Sequence, residues 1–551
     1  MARMETDLER RWANRAALVA REDLVMFINA CLSCTGQREF YDDAYGQRVS
    51  IDFLHDYILH NYRLLYARTL AAGINHFNTA QIILKLLATG RQTALGRRAE
   101  EGALIAAALR ALPPQRAWRL LQSLRERGVN NRRARAIARD YLRGRPDSSF
   151  DAVKYRARVR SVAVHAHLRL PGELGPFLFR RWQQRSYQTP LFESFRQAHY
   201  SAKAVYELPF TVAEGLAATH EIKRDVFLQR AEARMTPGER LRLQGSAERA
   251  GRHGVALELD FGRLPLTRLA LYALSLPCET RLERADALRP ALEQAARRAL
   301  ARAPLRLGRV AAVLDRSYSS SGSAEKRRRP LGVALAAHYL LQAAAREYQA
   351  FWTRPVEDPL LVTARGQSDL ATPLLDALEW GAELVVIVSD GYENDPPHGA
   401  AHVLRVYRQW LDPAARTSIV QCNPVFNADD LSVQALSPVV PAVGLRDAED
   451  LPTVLGFARF AEGSAPLADL EDYLASRVRQ MLAGPDALIV TRGGDDALVP
   501  AAETWPQESE SEEEAVHEES EPEEEAVHAV EDAVRRDAGA VDALAEQEVM
   551  D

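Results

Sequence analysis

Cysteine is scarce in this sequence, with four residues in 551, and lysine supplies only five of the 70 basic residues. Cys31 and Cys34 form one C-x-x-C pair in an apolar stretch, whereas Cys278 and Cys422 stand alone. A zinc site would need a second pair, so we expect ordinary buried thiols. So few cysteines in a long chain favour a reducing compartment, and we expect a cytoplasmic protein.

Long apolar runs are also missing. No stretch of about 18 uncharged apolar residues occurs, which argues against a membrane span and a membrane partner. The sequence starts with the charged segment MARMETDLERRW, which lacks the apolar core of a secretory signal. With 47% hydrophobic residues the chain can still build large cores, and its length favours two or three domains.

The formal net charge of −5 conceals two regions of opposite sign. Residues 501–551 contain 19 acidic residues and two arginines, a net charge of −17, which leaves +12 for residues 1–500. The acidic segment is poor in aromatic residues and contains EEEAVH twice. Such a composition cannot bury enough apolar surface to offset chain entropy, so we expect a disordered tail over residues 493–551.

Residues 1–303 show apolar positions at helical spacing. Asn78 can cap a helix that ends near Gly90, and further helices are predicted at Glu100–Leu112, Gln115–Arg127 and Asn131–Leu142. Short breakers separate these segments, as in an antiparallel helical array. No clean sequence repeat is visible.

The pattern changes after Pro304 to short β-rich apolar runs that alternate with helical segments. We predict strands at Val310–Leu314, Leu360–Val362, Leu384–Val388, Ser418–Gln421 and Val439–Val443. The predicted helices between and after them are Leu331–Trp352, Thr372–Trp380, Ala400–Leu411 and Asp450–Ala461. This alternation is typical of a doubly wound parallel sheet with helices on both faces.

Oxygen-bearing side chains follow two of these strands. The segment VAAVLDRSYSSSG ends an apolar strand with Asp315, Ser317 and Ser319, and AELVVIVSDG ends another with Asp390. Between them, Ser368 and Asp369 precede a helix. Ligands of open α/β sheets bind beyond the carboxyl ends of the strands, and hard cations prefer oxygen ligands. The pattern therefore predicts a divalent-cation site, with Mg²⁺ or Mn²⁺ as the cofactor.

Strand–D-x-S-x-S, then G-x-S-D before a helix, then strand–S-D-G closely resembles the von Willebrand factor A (vWA) domain and its metal-ion-dependent adhesion site, over Leu305–Gly484. The resemblance implies that Asp315, Ser317, Ser319 and Ser368 are metal ligands and that Asp390 acts directly or through a bound water. Ser368 stands where the family usually has threonine. Asp369 would support the site without touching the ion. The implied activity is binding, in which an acidic residue of a partner completes the coordination.

Residues 125–169 carry 13 basic residues against four acidic ones, which is a second candidate site. The basic side chains that we single out recur at helical spacing or cluster in KYRARVR: Arg132, Arg135, Arg139, Arg143, Lys154, Arg156, Arg158 and Arg160. Such a density suits phosphate binding, and Tyr155, Trp182 and Tyr187 are candidates to stack on bases. An ordinary solvated face in an arginine-rich protein is the alternative explanation of the run. The insert EKRRRP, Glu325–Pro330, directly follows the first predicted metal loop and could attract anions beside the cation site, or it could be a solvated loop.

A helical array followed by a vWA domain also resembles the layout of the Ro autoantigen (TROVE) family. Local similarities are VKYRAR, the LPF…THEI segment at Leu208–Ile222 and VPAVGLRDAEDLPTVLGF. The resemblance implies a cytoplasmic protein that binds small noncoding or misfolded RNA. The layout is similar, too, to bacterial vWA proteins that work with AAA+ ATPases or proteases, in which the helical part would bind protein.

The sequence thus predicts an α plus α/β protein: a helical array at 1–303, a vWA domain at 304–484 and an acidic tail at 493–551. We expect a non-enzymatic binding protein, because no nucleophile with an adjacent base is apparent. RNA bound through the array is the first hypothesis for its partner. A scaffold whose cation captures an acidic residue of a protein is the alternative.

Overall fold

The N-terminal half consists of helices joined by brief turns, as its helical spacing predicts. The computed structural model describes residues 2–179, 186–236, 239–240, 243, 261–461 and 465–483. The helices of this half, numbered in chain order, are α1 Ala2–Ser33, α2 Ala44–Asn61, α3 Arg63–Arg68, α4 His76–Ala88, α5 Arg98–Ala111, α6 Pro114–Glu126, α7 Arg132–Arg143, α8 Ser148–Lys154, α9 Arg156–His165, α10 Leu174–Phe179, α11 Pro190–Ala198, α12 Phe210–Thr219, α13 Arg224–Ala231, α14 Leu266–Ser275, α15 Cys278–Glu283 and α16 Ala285–Arg302.

The three helices predicted between residues 100 and 142 are confirmed as α5, α6 and α7, with ends shifted by one or two residues. The predicted cap of α4 was wrong. Asn75 is the N-cap, and its side-chain oxygen accepts a hydrogen bond from the backbone N–H of Asn78. Asn78 lies one turn inside the helix, where its side chain is buried and bonds to the carbonyls of Cys31 and Cys34.

The C-terminal half contains a parallel five-stranded sheet. Its strands are β1 Leu307–Leu314, β2 Ala345–Trp352, β3 Leu384–Val388, β4 Ser418–Asn423 and β5 Ala442–Gly444, in the order β2-β1-β3-β4-β5. The helices of this half are α17 Arg329–Ala344, α18 Ala371–Glu379, α19 Gly399–Val406, α20 Leu451–Ala461 and α21 Leu467–Ala483.

Two predictions about this region were wrong. The predicted helix Leu331–Trp352 ends at Ala344, and residues 345–352 instead form β2, which pairs with β1 along its whole length. The predicted strand Leu360–Val362 is a short 3-10 turn, Pro359–Leu361. Pairing with the distant strand β1 decided the structure of β2, and local composition does not record such pairing. The turn instead closes on itself, through hydrogen bonds from Leu361 to Asp358 and from Val362 to Pro359.

The sheet is doubly wound, as predicted, because alternate residues of its strands face two different cores. Val310, Ala312 and Leu314 of β1 belong to one core together with α17, whereas Ala311 and Val313 face the other, which α18 and α19 cover. The first core runs without a break into the helical array. Helices α14 and α16 pack on α17, and α1 packs on β5 and α21.

All of the described residues belong to one compact unit, Met1–Trp505. The acidic tail predicted at 493–551 lies outside the described residues. Among the helices that are described, none combines the length and the apolar character that crossing a membrane requires.

Arg281 of α15 joins the helical array to the sheet region. Its buried guanidinium donates hydrogen bonds to the carbonyl of Leu276 and, at 2.9 and 2.8 Å, to those of Leu360 and Val362. The turn that was predicted as a strand therefore supplies acceptors to a buried cation. Removal of the guanidinium would leave these carbonyls without their donor.

We expect Arg281→Met to destabilise the protein by about 2–4 kcal/mol, because charge-assisted hydrogen bonds are lost and buried acceptors remain. Urea unfolding followed by circular dichroism would measure the shift of the midpoint. Arg297→Met is the matched control, because Arg297 is exposed and pairs only with Glu293 on the surface. Equal midpoints for the two variants would contradict the buried role of Arg281.

Candidate functional site

The predicted cation-binding residues lie at the carboxyl edge of the sheet, where β1 and β3 end side by side. Leu314 pairs with Val388 as the last residue pair of the two strands, and the backbone N–H of Asp315 donates to the carbonyl of Val388 at 3.0 Å. Asp315 and Asp390 therefore emerge from neighbouring strands. Both side chains are buried, at 4% and 3% exposure.

Hydroxyl groups surround the carboxylate of Asp315. Its Oδ1 accepts the backbone N–H of Ser317 at 2.8 Å, and its Oδ2 accepts the hydroxyls of Ser389 at 3.2 Å and Ser368 at 3.5 Å. The hydroxyls of Ser317 and Ser319 are 3.2 Å apart. Four of the predicted ligands thus converge on a single buried cluster.

Asp390 completes this cluster from the loop after β3. Its Oδ1 accepts the backbone N–H of Tyr392 at 3.1 Å, and its carboxylate also hydrogen-bonds with the hydroxyl of Ser319. Burial and the nearby charge of Asp315 raise the pKa of Asp390 to about 7. Burial likewise raises the pKa of Asp315, against the lowering effect of its hydrogen bonds to serine.

The loop that carries Ser368 is fixed by residues that follow Asp390. The backbone N–H of Ser368 donates to Oδ1 of Asn394 at 2.8 Å, and the Ser368 carbonyl accepts the N–H of Asn394. Asp369 caps α18, with its Oδ1 accepting the N–H of Thr372 at 3.0 Å. Its carboxylate therefore orients the helix that follows the Ser368 loop.

The donor set fits a hard divalent cation. In the described part of the chain neither Asp315 nor Asp390 forms an ion pair, so two buried carboxylates face each other without a cationic side chain between them. Among the described residues, no three His, Cys, Asp or Glu side chains are grouped so that they could hold a metal ion, so the remaining ligands here would be serine hydroxyls and water. Two carboxylates with hydroxyls and water suit Mg²⁺ or Mn²⁺ better than zinc.

A pocket of about 320 Å³ opens onto this cluster. Three of the predicted ligands, Ser317, Ser319 and Ser368, line it. The other lining residues are the aromatic Phe40, Tyr41, Tyr318 and Tyr392, together with Gly366, Glu393 and Asn394. Tyr41 hydrogen-bonds with Ser319, and burial together with the charges of Asp390 and Asp315 raises its pKa.

Sequence reasoning missed three kinds of residue at this site. Ser389 precedes Asp390 in the S-D-G motif, and its position there is a signal that could have identified it. Asn394 offers only a weak signal as a loop asparagine. Phe40 and Tyr41 carry none, because they lie about 275 residues before the first predicted ligand and only the fold brings them to the pocket.

The basic residues singled out in the helical array fall into two groups. One group is exposed to solvent: Arg132, Arg135, Arg139 and Arg143 of α7, and Arg160 of α9. Because residues 132, 135, 139 and 143 are spaced by three and four, they share one face of α7. Arg139 is 3.0 Å from the carboxylate of its neighbour Asp140, which is also exposed.

The other group is held by structural contacts. Lys154 is 3.7 Å from the buried carboxylate of Glu239, and Arg156 donates to the carbonyl of Phe177 at 3.2 Å while its guanidinium lies over the Phe177 ring. Arg158 is half-buried, and this burial lowers its pKa. These side chains hold the array together.

The aromatic residues proposed to stack on bases gain little support. Tyr187 is buried against Phe177 and Phe192, so this expectation was wrong. Tyr155 is half-buried at the junction of α8 and α9. Trp182 lies outside the described residues.

The insert EKRRRP is fixed by pairing with other segments. Glu325 accepts the backbone N–H of Arg38 at 2.9 Å, Lys326 pairs with the buried carboxylate of Glu39, and Arg329 pairs with Asp447 at 2.6 Å. The neighbouring Arg327 and Arg328 remain exposed.

The raised pKa of Asp390 predicts a specific pH dependence of stability in a chelating buffer. Between pH 3.8, the usual pKa of an aspartate, and about pH 7, the Asp390 carboxyl holds a proton in the folded state but has lost it in the unfolded state. The contribution of this group to stability is therefore fully present below pH 4 and lost as the pH rises to 7. Asp390→Asn should remove this contribution, so the variant should gain stability relative to the unmodified protein over that window. If the free energies of unfolding of the two proteins changed in parallel between pH 4 and 7.5, the burial argument would be contradicted.

Comparison with solved structures finds several chains with detectable likeness to this one. No family model matches the chain, and no curated protein matches it. The crystal structure of the Deinococcus radiodurans Ro (RSR) protein matches with a TM-score of 0.42 and 16% identity, over 80% of this chain and 100% of the other. A Ro protein is thus among the solved structures with a detectable likeness to this chain.

Proposed function

We propose that this chain is a non-enzymatic binding protein that holds Mg²⁺ or Mn²⁺ at the carboxyl edge of its sheet and uses the cation to capture an acidic group of a partner. The observation that carries the proposal is the convergence of two buried carboxylates and three serine hydroxyls from three loops on one pocket. Asp315, Ser317, Ser319, Ser368 and Asp390 would hold the ion.

The chemistry of these residues supports binding over catalysis. Two neighbouring carboxylates whose pKa values are raised by burial are costly to ionise unless a cation offsets their charge. When bound, the cation supplies an open coordination position for an oxygen ligand. In the described residues no histidine contacts the hydroxyls of Ser317 or Ser319, so no serine–histidine pair of the kind used in nucleophilic catalysis is present there. Their hydroxyls orient ligands and help to exclude water.

The backbone around the pocket is arranged so that the ligands keep their positions. The Asp315 carboxylate is held by a backbone N–H and two hydroxyls, and Ser368 is held by Asn394. Binding of an acidic ligand then costs little reorganisation of the protein. A protein side chain bearing a carboxylate suits such a site in size and in chemistry.

RNA binding through the helical array is the second candidate function. The observation that favours it is the row of four solvent-exposed arginines along one face of α7. Guanidinium groups at helical spacing match phosphates well, because each can donate two parallel hydrogen bonds. Arg160 adds a fifth exposed guanidinium on α9, beside the ring of Phe179.

Asp315→Ala should weaken Mn²⁺ binding by about 100-fold or more, because it removes a carboxylate ligand and the acceptor that orients the serines. Mn²⁺ titration followed by electron paramagnetic resonance measures this affinity without any partner. Asp376→Ala is the matched control, because Asp376 is an exposed aspartate on α18. If the two variants bind Mn²⁺ equally well, the site is not where we propose it.

Replacement of Arg135 and Arg139 by Gln should reduce the salt dependence of RNA affinity. Each phosphate contact that is lost should lower the slope of log K against log salt by about 0.7 for a single strand. Fluorescence anisotropy with a labelled single-stranded RNA at several salt concentrations gives this slope. The control is a double Gln variant at Arg297 and Arg346, which are also exposed. An unchanged slope in the α7 variant would exclude this face as the RNA-binding surface.

A further inference from the structure

The entrance of the cation pocket is an aromatic collar formed by Phe40, Tyr41, Tyr318 and Tyr392. The centroids of the rings of Tyr41 and Tyr392 are 4.4 Å apart. The ring centroid of Phe40 is 4.9 Å from that of Tyr41 and 6.0 Å from that of Tyr318. Two of these residues come from the segment between α1 and α2, and the other two come from the loops after β1 and β3. A ligand that reaches the cation would therefore lie against these rings.

The segment that carries Phe40 and Tyr41 is hydrogen-bonded to the loop after β1, which also carries Ser317 and Ser319. The carbonyl of Arg38 accepts the hydroxyl of Ser323 at 2.7 Å, and the N–H of Arg38 donates to Glu325. Glu39, almost fully buried, pairs with Lys326. The collar is therefore a built part of the site, with its rings fixed before a ligand arrives.

An exposed apolar stripe leads away from the collar along α2. Tyr45, Val49 and Phe53 are spaced by four residues, so they share one face of α2, and Tyr41 lies just before the helix begins at Ala44. These four side chains are between 50% and 77% exposed. Phe53 stacks on Tyr57 at 6.1 Å, which closes the far end of the stripe. Contiguous exposed apolar side chains of this kind mark interaction sites.

The charges around the stripe favour a peptide over a nucleic acid. Asp52 and Asp56, which flank Phe53, are both 2.7 Å from the ammonium of Lys85. Arg48 is exposed but uses its Nε to donate to the carbonyl of Gly36. This face therefore has no row of exposed cations like that of α7, which a phosphate backbone requires. Apolar side chains of a peptide can pack on this face, because their binding does not require a row of cations.

We propose that the collar and the stripe Tyr41–Tyr45–Val49–Phe53 form one docking surface for a peptide segment of a protein partner. An acidic side chain of the peptide passes the collar to the cation, and the apolar side chains beside it pack along α2. This inference rests on the proposed function at the cation site and adds the class of partner: an acidic residue next to apolar residues in an accessible segment.

The test is selection of displayed twelve-residue peptides, each with one fixed glutamate, on the full-length protein in Mg²⁺. We expect the recovered peptides to be enriched in apolar residues beside the glutamate. Synthetic versions of the recovered peptides should bind roughly tenfold more weakly to a Tyr45→Ser/Phe53→Ser variant, because the loss of aromatic anchors commonly reduces affinity by this much. Leu95→Ser is the matched control, because Leu95 is 80% exposed on a different element. Thermal unfolding of each variant verifies that it is folded.

The outcomes separate this inference from the proposed function. Chelator-sensitive peptide binding that the stripe variant leaves unchanged would overturn the docking surface and keep the cation site. Peptide binding that depends on the stripe but resists both chelator and Asp315→Ala would overturn the metal bridge and keep the apolar surface. No enrichment of peptides would overturn the inference. Binding of a labelled oligouridine to the protein, if it were lost in the Tyr45→Ser/Phe53→Ser variant, would overturn the inference as well.

Discussion

Asp315 and Asp390 are two carboxylates buried side by side at the end of the sheet, and the loops around them are arranged to tolerate their charge. An unpaired buried carboxylate is costly to ionise: burial raises the pKa of both groups, and the charge of Asp315 raises that of Asp390 further. The protein offers them hydroxyl and backbone N–H donors, and the described residues include no cationic side chain between them. The divalent cation that we propose would offset the charge that these donors leave uncompensated.

The helical array takes part in this site. Helix α1 packs on β5, and the segment that follows α1 brings Phe40 and Tyr41 over the pocket. Ion pairing of Glu39 with Lys326 ties that segment to the loop after β1. Since the array and the sheet share one core, a change in either half would be felt at the pocket. The site is therefore a property of the whole described unit, and the sheet alone would present a more open edge.

Local pattern was enough to predict the elements that build the bottom of the pocket. The apolar runs before Asp315 and Asp390 are β1 and β3, and the parallel pairing that follows from the α/β alternation brings the two aspartates together. Local pattern was not enough for β2, whose residues 345–352 include good helix formers, because its state depends on pairing with β1. The collar was equally invisible, since contacts over hundreds of residues leave no periodic signal in the sequence.

The basic residues of the array show how burial divides a run of charge into two functions. Arg156 and Lys154 satisfy a carbonyl and a buried carboxylate, and release of either partner would leave a buried polar group unsatisfied. The arginines on the exposed face of α7 meet no such constraint, because water already solvates them. They can exchange counterions for phosphates without disturbing the fold, whereas the half-buried set cannot. Sequence density alone treats both sets as one patch, and only the exposed set is suited to a charged partner.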